Sequence, residues 1–142
     1  DLQNKIDEFN ASAISDRDYL EKAFAYVTSR WHGAKAKTIL NFWRAFGDAF
    51  KKKPGFLPCN MLNYLLRVML VRSGRFDESD IDIVVVPLNF FIHQHLDVRV
   101  RGANIHDAAD ANQAERSGEM VHVDPWAHAY GKRLGERAIW FI

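Results

Sequence analysis

The spacing of apolar residues along the chain changes from helical to strand-like near residue 77. Between Leu20 and Trp31 apolar residues recur every three or four positions, which predicts a helix that begins after Ser15 as its N-cap. Gly33 should end this helix, and the same spacing predicts a second one from about 34 to 52. The first ten residues fit either a short polar helix or a frayed arm.

A third helix and several strands are predicted after Pro58. The helix runs from about Cys59 to Val71 with an apolar face broad enough for a mostly buried position. A strand is expected at 81–86, where Pro87 should end it, and further strands at 95–101 and 120–124, where polar and apolar residues alternate. The segment 138–142 fits either a strand or a helix that continues from Lys132, and the strand is preferred. Helices followed by strands predict an α+β fold with a small antiparallel sheet.

Length and charge narrow the class of protein. The 142 residues predict a single domain with a helical part at 1–56. The remaining part, 57–142, is the core that carries the candidate catalytic residues described below. Because 19 basic residues nearly balance 18 acidic ones, nucleic acid is not an expected partner, and no apolar run is long enough to span a membrane. The chain begins at Asp1 rather than methionine, so we expect it to be a segment of a longer protein.

The only cysteine, Cys59, is the most informative residue. A single cysteine excludes an internal disulfide and a CxxC motif, and the start of a helix favours the negatively charged thiolate. His95 opens the alternating strand and Asp124 closes a later one, so a cysteine, a histidine and an aspartate occur in that order. His93 is the alternative histidine; His95 is preferred because His93 falls in the less regular segment 87–94.

These three residues predict a nucleophilic mechanism. Cys59 attacks an amide carbonyl, His95 accepts and returns the thiol proton, and Asp124 orients the imidazole. The Cys59 backbone N–H is expected to bind the oxyanion, with the side-chain amide of Asn60 as a second donor. Trp126 is expected to be a core residue or a wall of the substrate pocket rather than a stacking platform for substrate.

Three short motifs carry a family resemblance: Pro58-Cys59-Asn60 at a helix start, His95 at a strand start, and Val123-Asp124-Pro125-Trp126 at a strand end. Together, from Pro58 to Tyr130, they resemble papain-like and transglutaminase-like toxin and effector domains of bacteria. The resemblance implies a papain-like core acting on protein amides as a protease, glutamine deamidase or transglutaminase, without a cofactor. It also implies secretion into a target-cell cytosol and a cognate immunity or inhibitor protein as partner; otherwise a cytoplasmic location is expected. Papain's oxyanion glutamine is replaced here by Lys53.

Two other interpretations compete with the enzyme. In the first, Cys59 is a buried structural residue of a non-enzymatic protein-interaction domain. In the second, histidines and Asp124 gather around one zinc ion. The residues for that site are His93, His95, His122, Asp124 and His128. The preferred prediction has no metal.

Overall fold

The computed structural model describes residues 1–33, 55–88, 91–101 and 118–131. In these ranges the helices are α1 (Leu2–Ser12), α2 (Asp16–Arg30) and α3 (Cys59–Arg72), with a 3-10 turn at Glu78–Asp80. The strands are β1 (Trp31–His32), β2 (Gly55–Phe56), β3 (Ile81–Leu88), β4 (Phe91–Arg101), β5 (Gly118–Asp124) and β6 (Ala129–Tyr130). The α+β class is confirmed. The predicted helix at 34–52, Lys53 and the predicted strand at 138–142 lie outside the described residues.

The first two helices begin at side-chain caps. Asp1 accepts a hydrogen bond from the Gln3 backbone N–H, so the first residues form α1 rather than a frayed arm. Ser15 caps α2 as predicted, because its Oγ accepts from the Asp18 N–H at 3.1 Å. The two helices pack against each other, and neither they nor α3 has the length and apolar character needed to cross a membrane, within the described ranges.

Helix α3 lies at the centre of the fold. Its apolar face is buried, and it packs against α2 on one side and β4 on the other. The Tyr19 hydroxyl of α2 donates a hydrogen bond to the Met69 carbonyl of α3 at 3.0 Å. Leu62 and Leu66 of α3 share one buried core with Leu96 of β4. This packing fixes the position of α3 relative to β4.

The four main strands form an antiparallel sheet in the order β3-β4-β5-β6. The prediction that Pro87 ends its strand is wrong, since β3 continues through Pro87, which pairs with Ile92, to Leu88. β3 is the edge strand of the described sheet, where a residue without an N–H is tolerated.

Strand β4 begins at Phe91, four residues earlier than the sequence pattern predicts. Residues 91–98 of β4 pair with β3, and His93 lies opposite Val86 in this ladder. The predicted alternation is confirmed further along the strand, where Leu96, Val98 and Val100 are buried. His93 is therefore part of a regular strand rather than of an irregular segment.

A short parallel pairing holds the chain just before α3. Trp31 and His32 of β1 pair with Gly55 and Phe56 of β2, and the Leu57 N–H donates to the His32 carbonyl at 3.1 Å. The end of α2 is thereby tied to the residues that lead into Cys59.

Candidate active site

Cys59 is the first residue of α3 and is 5% exposed. The N-cap residue is Pro58, which has no side-chain hydrogen bond to the helix, while its carbonyl accepts from the N–H groups of Met61 and Leu62. Asn60 turns its Oδ1 to the Met61 N–H at 2.9 Å. Helix geometry gives the N–H groups of Cys59 and Asn60 no acceptor within α3, so they provide positive potential beside the sulfur.

His93 and Asp124 form a buried hydrogen-bonded pair next to the start of α3. The Nε2 atom of His93 contacts Oδ2 of Asp124, and the two residues are 3% and 1% exposed. The other oxygen, Oδ1, accepts from the Ala127 N–H at 3.0 Å in the turn that follows β5. Both carboxylate oxygens are therefore engaged, which holds the carboxylate in one orientation toward the imidazole.

The Cys59 side chain lies beside the His93 ring and interacts with it electrostatically. Burial by itself lowers the pKa of His93, but the hydrogen bonds and negative charges of Asp124 and Cys59 outweigh it and raise that pKa to about 9. The environment thus favours an imidazolium held between a carboxylate and a sulfur. Cys59, His93 and Asp124 form one connected group.

The histidine that lies beside Asp124 and Cys59 is His93 rather than His95. His95 lies 3.4 Å from Asp97 through its Nε2, and its ring centroid is 6.2 Å from that of His122. Burial lowers the pKa of His95, and the nearby charges of Asp97 and Asp124 only partly oppose that effect. The structure therefore brings Cys59 and Asp124 together with His93, and it places His95 in a neighbouring polar group.

Comparison of the chain with protein-family models, with curated proteins and with solved structures finds no match. The contacts of the side chains themselves must therefore carry any functional assignment.

Trp126 is buried against the His93 ring rather than presenting an open face for substrate. It is 4% exposed, and the two ring centroids are 5.0 Å apart. Gly33 also lies against Trp126, so close that an added Cβ would be 2.2 Å from Cδ1 of the indole. Trp126 therefore has little room to move, and it limits the movement of the imidazole.

Asn63 connects the cysteine helix to the histidine strand. It lies one turn after Cys59, is 2% exposed, and donates from Nδ2 to the Gln94 carbonyl at 2.8 Å. Gln94 is the neighbour of His93, so this bond sets the distance between the two elements that carry the thiol and the imidazole. Sequence reasoning did not assign this role, although a polar residue four positions after Cys59 on a buried helix was the available signal.

The five residues of the competing zinc interpretation do not lie in one group. His93 and Asp124 bond to each other, and His128 is exposed in the turn after β5. His95, Asp97 and His122 instead form a compact group on the polar side of the sheet, with potential ligand atoms within 4.8 Å of one another. Among the described residues, these three are the group able to hold a metal ion.

Proposed function

We propose that this chain is a thiol-dependent acyl-transfer enzyme that acts on amides. The observation that carries the proposal is the connected group of Cys59, His93 and Asp124, with the cysteine at the start of α3. A nucleophile, a base and a group that orients the base are the three parts such chemistry needs. The base is His93, in place of the His95 expected from sequence.

The first half of the reaction forms a thioester. The Cys59 sulfur attacks the amide carbon, the carbonyl electron pair moves to oxygen, and the oxyanion lies toward the N–H groups of Cys59 and Asn60. Asp124 occupies Nε2 of His93, which leaves Nδ1 as the ring nitrogen that exchanges a proton with the thiol. That proton passes to the departing amine as the C–N bond breaks.

The second half regenerates the enzyme. His93 takes a proton from water or from an acceptor amine, which then attacks the thioester carbon, and the C–S bond breaks to release Cys59. Water gives hydrolysis or deamidation, and an amine gives transamidation. A protein amide is the substrate class implied by the resemblance to papain-like and transglutaminase-like effector domains.

The test is the rate at which iodoacetamide alkylates Cys59 in the folded protein between pH 6 and 9. We expect labelling of the native protein at neutral pH and at least a tenfold decrease in rate for His93→Ala. His95→Ala is the matched control, since it removes a histidine of the same strand, and it should retain most of the wild-type rate. Cys59→Ser should give no labelled product.

A non-enzymatic interaction domain is the second candidate, because Cys59 belongs to the buried core and apolar side chains are exposed on the sheet. Ile83, Val85 and Ile92 are 48%, 54% and 66% exposed. This candidate predicts that Cys59 is labelled only after denaturation, at equal rates in the wild type and His93→Ala. That result would overturn the enzyme proposal.

A further inference from the structure

A second polar group lies beside the Cys59–His93–Asp124 group, on strands β4 and β5. It consists of His95, Asp97 and His122, whose side chains are 12%, 19% and 19% exposed. Asp97 lies directly opposite His122 in the β4–β5 ladder, and His95 is two residues from Asp97 on the same strand. The register of the sheet therefore brings all three side chains to one place.

The potential ligand atoms of this group lie close enough together to surround one ion. Nδ1 of His122 contacts Oδ1 of Asp97, and Nε2 of His95 is 3.4 Å from the same oxygen. Ligands bound to tetrahedral zinc at about 2.0–2.1 Å are about 3.3 Å apart. One potential ligand atom from each residue falls within 4.8 Å of the others, so the side chains need only small adjustments to surround an ion.

We propose that His95, Asp97 and His122 bind one zinc ion. Two imidazole nitrogens and one carboxylate oxygen are a donor set that zinc accepts, and the partial exposure of all three side chains leaves access for the ion and for water as a fourth ligand. On binding, zinc replaces any proton that the ligand nitrogens carry, and the protons are released to solvent. The ion joins β4 to β5 and does not use Cys59.

The experiment is calorimetric titration of zinc into the full chain after dialysis against a chelator. We expect one ion per chain, with affinity weakened at least about a hundredfold by His122→Ala and by Asp97→Asn. Cys59→Ser and His128→Ala are matched controls that should bind as the wild type does. Zinc should also raise the melting temperature of the wild type but not of Asp97→Asn. Near-ultraviolet circular dichroism tests whether each variant is folded. If His122→Ala does not fold, His122→Gln takes its place.

Cobalt substitution identifies the ligands independently of activity. We expect visible d–d absorption from nitrogen and oxygen ligands, without a thiolate-to-cobalt charge-transfer band. Any of three results overturns the proposal: no stoichiometric zinc binding at 100 µM protein, binding unchanged in both ligand variants, or a thiolate band that disappears in Cys59→Ser. None of these results bears on whether the alkylation rate of Cys59 depends on His93, so each proposal can be refuted without the other.

Discussion

Asp124→Asn tests the buried pair at the centre of the candidate active site. The substitution removes the negative charge facing Nε2 of His93, while the amide oxygen of asparagine retains an acceptor for the Ala127 N–H. Because shape and the turn after β5 are preserved, the main change is electrostatic. We expect the pKa of His93 to fall, since burial then opposes its charge with less compensation.

The structure sets the magnitude. Raising the pKa of His93 from 6.5 to about 9 corresponds to about 3–4 kcal/mol of stability, at about 1.4 kcal/mol per pH unit. Asp124 raises this pKa more than Cys59 does, so Asp124→Asn should remove most of that stability, about 2–3 kcal/mol at pH 6. Loss of a buried partner costs about 3–5 kcal/mol when a charge is stranded, but His93 avoids that state by losing its proton.

The pH dependence follows from the direction of the shift. A histidine whose pKa is higher in the folded state stabilises the fold fully below about 6.5, and this stabilisation is lost as pH rises through about 9. The difference in unfolding free energy between wild type and Asp124→Asn should therefore shrink between pH 6 and 10. Urea denaturation with a chelator present measures that difference, and the His93 ring proton resonances report its titration directly.

Asp97→Asn is the matched control, because Asp97 is also hydrogen-bonded to a histidine, His122. Each of these two side chains is 19% exposed, in contrast to the buried pair of His93 and Asp124. Solvent screens this pair, so we expect a cost below about 1 kcal/mol. An Asp124→Asn cost that is equal at pH 6 and pH 10, or no larger than that of Asp97→Asn, would refute the reasoning about a charged His93.

Two further substitutions test how the group is held in place. Gly33→Ala should destabilise the protein by about 1–3 kcal/mol and slow Cys59 alkylation, because the added Cβ would clash with Trp126 and displace the ring that packs on His93. Urea unfolding followed by tryptophan fluorescence measures the loss of stability. A loss below about 0.5 kcal/mol would contradict this prediction. Asn63→Leu should cost about 1–3 kcal/mol by leaving the Gln94 carbonyl without its donor, and it should slow alkylation in the folded protein. Asn60→Ala is the control on the same turn, and an equal effect from it would argue against a special role of Asn63.

Local signals in the sequence were sufficient for the helix starts and for the fold class. Ser15 followed by Asp18, and Pro58 followed by a broad apolar face, mark the beginnings of α2 and α3 because capping and helical spacing depend on neighbouring residues. The strand boundaries depend on pairing between distant segments. The sequence predicts a strand end at Pro87, because proline has no backbone N–H to donate to a neighbouring strand. Pro87 remains in β3 because β3 is an edge strand, and only the assembled sheet shows which strands lie at its edge.

The choice between His93 and His95 shows the same limit at the site. Continuing the β4–β5 register by one pair beyond Leu96 and Val123 would put Asp124 opposite His95, yet the carboxylate bonds to His93, its diagonal neighbour. Diagonal positions on neighbouring strands lie within reach of long or aromatic side chains, so facing position alone does not select the partner.

The pairing of β3 with β4 makes His93 a strand residue. This ladder extends two pairs beyond Val86 and its partner His93, into the segment that the alternating pattern of the sequence left irregular. Because Asp124 is bonded to His93, the neighbours of His95 are Asp97 and His122. A single register thus accounts for both groups: the acid–base pair beside Cys59 and the proposed zinc ligands next to it.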